Sequence, residues 1–100
     1  MIRVFVSLLT VSTLLSAATS VMAEDVCMPS TELRASLIDW YGEEPVAAPN
    51  RAQQQIWASP RTGTWTKVRF DANGTACVLA QGDDWLVGAA RAALLASLAD

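Results

Sequence analysis

The apolar positions of this chain change period several times along its length, and each change marks an element. Residues 4 to 15 form a nearly continuous apolar run interrupted only by Ser7, Thr10, Ser12 and Thr13. From Leu33 the spacing becomes helical, with Leu33, Leu37, Ile38 and Tyr41 on one stripe of an amphipathic helix over about 31–41. Ser30, directly after Pro29, stands where an N-cap is expected. Gly42 supplies a left-handed residue at the far end, and Pro45 prevents the helix from resuming. Glu32 falls in the first turn, where the helix dipole favours a negative charge. Pro45 and Pro49 then break all periodicity over 43–51, with Pro45-Val46 able to open a short edge strand.

Beyond Gln53 the period falls to two. Gln54 to Ala58 reads as a strand, Ser59-Pro60-Arg61-Thr62-Gly63 as a turn, and residues 64–70 as a second strand. That second strand puts Trp65, Lys67 and Arg69 on one face and Thr64, Thr66, Val68 and Phe70 on the other. Asp71-Ala72-Asn73-Gly74 is a second turn, because Asn and Gly tolerate positive φ. Residues 75–80 make a third strand. Gln81 to Trp85 is turn-like, and Asp83 or Asp84 can cap a second helix over 86–99, in which Leu86, Ala90, Leu94 and Leu98 repeat every four residues. The fold expected is α+β. An amphipathic helix packs on an antiparallel meander of three strands, or four with the 45–46 edge, and a C-terminal helix follows.

The amino-terminal run changes the reading of the whole chain. A positive end (Met1 to Arg3), an apolar run of about 12 residues and small residues ending in Val21-Met22-Ala23 have the order of a cleaved secretory signal. Cleavage is expected between Ala23 and Glu24, with the Ser16-Ala17-Ala18 stretch as a second site. A membrane span needs roughly 20 apolar residues, so an uncleaved anchor is disfavoured. Cys27 is too far from Ala23 to serve as a lipid-anchor cysteine. Residues 1–23 are thus expected to leave, and 24–100 to form one small periplasmic or secreted domain, with a core over 27–85 and a helical extension over 86–100.

A core this small is marginal, and export permits a covalent staple. Two cysteines, Cys27 and Cys77, are present, and a disulfide between them is expected. Without Arg3, six basic residues face ten acidic ones, a net charge of −4. Nucleic acid and anionic lipid select basic surfaces and are disfavoured as partners. An envelope protein or a glycan remains compatible.

Candidate chemistry narrows the reading further. The chain contains no histidine, which removes the usual base for a nucleophilic Ser or Cys and the commonest transition-metal ligand. A disulfide leaves no thiolate. No catalytic residue, metal site or cofactor is therefore assigned. Paired carboxylates stand at Glu43-Glu44 and Asp83-Asp84, the type of group that serves as acid and base in glycoside cleavage. Asn73-Gly74-Thr75 matches a glycosylation sequon, although the hairpin turn accounts for it equally. The four tryptophans (Trp40, Trp57, Trp65 and Trp85) are the densest signal, since each supplies either a core anchor or a recognition hot spot. Trp65, if exposed beside Lys67 and Arg69, would make a contact face for a protein or an acidic glycan. The alternative is that Trp65 packs under the 43–51 loop or the C-terminal helix.

The order of motifs, Tyr41-Gly42-Glu43-Glu44-Pro45-Val46, Trp57-Ala58-Ser59, Gly63-Thr64-Trp65-Thr66, Gly74-Thr75-Ala76-Cys77-Val78-Leu79-Ala80 and Gly82-Asp83-Asp84-Trp85, resembles a group of small exported proteins of Gram-negative bacteria with no assigned activity. The resemblance implies a periplasmic address and a short α+β domain, transfers no functional residue, and does not extend to 86–100. The function expected is a non-catalytic binding domain. One alternative is an inhibitor of an envelope lysozyme or protease, acting through the 59–63 hairpin. Another is a hydrolase using Glu43, Glu44, Asp83 or Asp84.

Overall fold

The computed structural model describes residues 26–99, so the expected signal segment and its cleavage site lie outside the described residues. The elements run β1 (Val26–Pro29), α1 (Ser30–Asp39), β2 (Glu44–Pro45), β3 (Gln54–Ala58), β4 (Trp65–Phe70), β5 (Thr75–Gly82) and α2 (Gly88–Ala96). The strands form one antiparallel sheet in the order β1-β5-β4-β3-β2. The α+β class and the meander agree with the sequence pattern, but the sheet has five strands where three or four were expected. The additional strand is β1, the lead-in to the helix. Four residues ending in Pro29 are too short to show a period of two, and their extended state comes from pairing with β5.

That pairing is covalent as well. Cys27 stands directly opposite Cys77, and the two form a disulfide with Cα atoms 4.0 Å apart across a sequence separation of 50. Closing a loop of this length removes unfolded-state entropy worth about 4 kcal/mol in the chain-entropy model. A structural disulfide suits an oxidising compartment.

Alternation along the strands sorts the core into two layers. Trp57, Val68 and Ala76 meet Leu33 and Leu37 of α1, with Met28, Phe70 and Val78 at the margin. Ile56, Ala58, Trp65 and Trp85 form the opposite layer, flanked by Ala80 and by Leu94 and Leu98 of the C-terminal helical segment. Both faces of β4 are therefore covered. A β-bulge between Lys67 and Val68 leaves Leu79 as the extra residue of β5.

The helices depart from expectation at their ends. Ser30 does not cap α1; it is the first helical residue, and its backbone N–H donates to the Gly74 carbonyl at 2.9 Å. The buried stripe is narrower than its spacing suggests: Leu33 and Leu37 are buried, whereas Ile38 and Tyr41 are about half exposed. α1 meets the sheet through β1 and β5, and the Leu33–Leu37 row alone faces them. α2 begins at Gly88 after Val87, with no side-chain cap. Asp84 is not that cap, because its carboxylate accepts from the Trp65 indole instead. Among the described residues no helix is long and apolar enough to cross a membrane.

Candidate functional site

α1 ends at a turn whose geometry decides where Glu43 goes. Gly42 adopts φ +60°, a conformation that costs glycine little. Its N–H donates to the Ile38 carbonyl at 3.2 Å, and the Glu43 N–H donates to the Leu37 carbonyl at 2.9 Å. The chain then enters β2, where Pro45 pairs with Trp57. A period of two from Pro45 sets Glu43 on the α1 side of the sheet. The same alternation brings Thr64 and Thr66 to that side, and Gln81 stands directly across from Thr66.

The Glu43 side chain is enclosed there, with only 3% of its surface exposed. Burial pushes its carboxyl above the ordinary value, against the smaller opposing pull of hydrogen bonds from the Thr66 and Thr64 hydroxyls. Its Oε1 atom is buried and has no hydrogen-bond partner among the described residues. Buried polar atoms are nearly always paired, so an orphaned carboxylate oxygen calls for a specific explanation.

Glu43 lines a pocket of about 390 Å³ together with Tyr41, Thr64, Trp65, Thr66, Gln81, Gly82 and Asp83. A larger groove of about 700 Å³ adjoins it and shares Tyr41, Thr66 and Gln81. The groove walls are mainly apolar: Val26 and Met28 of β1, Leu33 and Leu37 of α1, Val78 of β5, and Trp40 at the helix end. Trp40 is 83% exposed, an unusual state for the largest side chain and one compatible with service at the mouth of a cleft. Among the described residues no Lys or Arg lines either cavity. An apolar trough leading to one buried, unsatisfied acceptor is the form of a site for a ligand with an apolar body and a donor or cationic group.

The face expected from Trp65, Lys67 and Arg69 takes a different form. Trp65 is 9% exposed and belongs to the core layer with Ile56, Ala58 and Trp85. Its Nε1–H donates to Asp84 Oδ1 at 2.6 Å, and its ring lies so close over Gly82 that a Cβ there would stand 2.6 Å from Nε1. Of the two readings open for Trp65 the packed one holds, in a layer against which Leu94 and Leu98 of the C-terminal segment pack. Lys67 Nζ donates to Ser97 Oγ at 3.3 Å, and Arg69 Nε pairs with Asp71 Oδ1 at 3.2 Å.

The two acidic pairs separate. Glu43 and Asp83 share the small pocket, Glu44 is exposed on the edge strand, and Asp84 is held by Trp65. The 59–63 turn is held by the Ser59 hydroxyl, which accepts from the N–H groups of Thr62 and Arg61 at 3.2 and 3.4 Å. Asn73 Oδ1 accepts the Thr75 N–H within its hairpin. Among the described residues no cluster of three His, Cys, Asp or Glu side chains is placed to hold a metal.

Sequence reasoning missed Tyr41, Thr66 and Gln81 as members of a site. One signal was present: Thr64 and Thr66 fall on the same strand face as Val68 and Phe70, and polar side chains on a core face need partners. Comparison with protein-family models, with curated proteins and with solved structures found no match.

Proposed function

We propose that this protein is an exported, non-catalytic binding domain of the periplasm. Its ligand lies in the groove beside α1 and presents a hydrogen-bond donor or positive charge to Glu43. The observation that carries this reading is the buried Glu43 Oε1, without a partner among the described residues, on a side chain that lines the small polar pocket adjoining a mainly apolar groove. The buried carboxyl, with no basic side chain among the described residues of either cavity wall, supports a cationic or donor group over an anionic one. Export rests on the amino-terminal pattern and accords with the disulfide.

Amide chemical-shift mapping of the oxidised protein, titrated with dodecylamine and with Lys-containing apolar pentapeptides, tests the reading. Saturable shifts are expected at residues 41–43, 64–66 and 78–83, weakened about tenfold or more in Glu43→Gln, the loss of one charge-assisted hydrogen bond. Shifts centred on Lys67 and Arg69, or none at all, would overturn it.

A second reading, carboxylate hydrolysis, is favoured by one observation: Glu43, with its raised affinity for a proton, lines the same pocket as Asp83. Two carboxyl groups on one pocket, one of them buried, are the kind of pair that acid–base work uses. Cleavage of a glycan panel that is abolished in both Glu43→Gln and Asp83→Asn would support it, and no cleavage by the native protein would remove it.

A further inference from the structure

The atoms around Glu43 sort the head groups of a ligand more finely than charge alone. Oε1 is buried without a partner among the described residues, so it calls for a group that donates a hydrogen bond. The Thr66 and Thr64 hydroxyls already donate to this carboxyl, which leaves one oxygen rather than two for an incoming group. Trp65 lines the same pocket, with its indole N–H committed to Asp84. It therefore brings an aromatic surface and no free donor. Tyr41 adds a second ring, and Asp83 and Gln81 add further acceptor oxygens. The wall is acidic, aromatic and rich in acceptors.

From this arrangement we propose that the ligand is a small amphiphile with a protonated primary amine as its head and a single apolar chain as its body. The amine donates an N–H to Glu43 Oε1, and the chain lies in the groove beside Leu33, Leu37 and Val78. The inference rests on the reading of the cleft as a binding site and narrows it to one class of occupant. A primary ammonium carries three N–H donors, one for Oε1 and two for other acceptors of the same wall. A quaternary ammonium is attracted by the rings and the carboxyl groups as well. It has no N–H, however, and leaves Oε1 buried and unpaired, which is the costly state. A guanidinium fork seats best on two free carboxylate oxygens, and Glu43 has one. A hydroxyl head donates but brings no charge to meet Glu43 and Asp83. Cavities of about 390 and 700 Å³ also fall in the size range of small-molecule sites, about 300–1,000 Å³.

Calorimetric titration of the oxidised protein at pH 7 with four ligands of equal chain length is the test: octylamine, octyltrimethylammonium, octylguanidinium and octanol. A Lys-containing apolar pentapeptide is the fifth probe. Octylamine is expected to bind most tightly, with the other three octyl compounds weaker by about tenfold or more, the value of one charge-assisted hydrogen bond. In Glu43→Gln this preference should vanish. A pentapeptide that binds more tightly than octylamine would overturn the proposal, because it would make the occupant a protein segment. If octyltrimethylammonium or octylguanidinium matches octylamine and both weaken in Glu43→Gln, the primary-amine inference fails and the binding cleft stands. If none of the five binds in a Glu43-dependent way, both fail.

Discussion

The two faces of the sheet bury polar groups in opposite ways. On the α2 side, Trp65 is large, amphipathic and buried, and its one donor is matched by Asp84. On the α1 side, the Trp57 indole N–H is matched by Gln55 Oε1 at 2.8 Å, but Glu43 brings a carboxylate into the interior and leaves one oxygen unmatched. The anchoring of the two helices differs in the reverse sense. α1 carries two buried leucines and is tied to β1, itself bonded through Cys27 to Cys77. α2 contains no buried residue and is attached through Leu94, Leu98 and the Asn50 side-chain amide, which donates to the Leu98 carbonyl at 3.1 Å. The better anchored face is thus the one that carries the unsatisfied group. A firmly held scaffold can keep a costly acceptor in place for a ligand, whereas a lightly attached helix needs every polar partner satisfied beneath it.

The largest effect expected from this contrast is at Trp65. Trp65→Ala should cost about 3–5 kcal/mol, the range for deleting a buried aromatic, and should also free Asp84. Chemical denaturation of the oxidised protein measures it. A variant with unchanged stability would show that the α2 face does not depend on the indole, and would favour the other reading, an open contact face of Trp65 with Lys67 and Arg69.

A smaller loss is expected from the residue beneath that ring. Gly82→Ala places a methyl group 2.6–2.8 Å from three indole atoms, and the ring is held by its bond to Asp84, so it has little freedom to move. Such overpacking costs about 1–3 kcal/mol. In Trp65→Ala the same change should become nearly neutral, since the obstructing atoms are gone. Additive losses in the double variant would break the assignment of Gly82 as the floor under Trp65.

Much of this architecture is legible from residue order, and what is not has a physical cause. β3, β4 and β5 follow from alternation and from turns that need Gly63 and Gly74 at positive φ, signals local to a few residues. α1 is legible from Leu33, Leu37 and Gly42 for the same reason. β1 is not, because its strand state is imposed by a partner about 50 residues away. The assignment of Trp65 turned on whether the second face of β4 was covered, and alternation distinguishes faces without saying what lies on them. α2 is shorter than its Ala- and Leu-rich composition suggests, since Leu86 and Val87 remain outside the helix and exposed. The Glu43 site joins a helix terminus to residues more than twenty positions later, so only its ingredients were visible: a Gly-terminated helix and two threonines on a core face.

The smallest stability effect, and the sharpest test of the contrast between faces, lies at Glu43. Its carboxyl takes up a proton more readily in the folded chain than at the ordinary value of 4.5, so the folded state binds a proton over a range of pH in which the unfolded state does not. Stability therefore rises as pH falls from neutrality through the folded value towards 4.5, and the gain is complete below that. Above the folded value the native state carries the buried charge and its full cost. Glu43→Gln removes the charge while keeping the shape. It should raise stability at pH 7 by about 1 kcal/mol and flatten this part of the profile. Tyr41, Thr64, Thr66, Gln81 and Asp83 line the same pocket, and Asp83 is the other carboxyl among them, so Asp83→Asn serves as the control that should leave the profile in place. A ligand cation on Glu43 reverses the preference, because it stabilises the ionised form, and its binding should weaken over the same range in which the free protein gains stability. Opposite pH trends for folding and binding, both lost in Glu43→Gln, would mark Glu43 as a group kept at a cost to the fold. A stability loss in Glu43→Gln at pH 7 would instead show the carboxylate to be satisfied within the protein, and the two faces of the sheet would no longer differ.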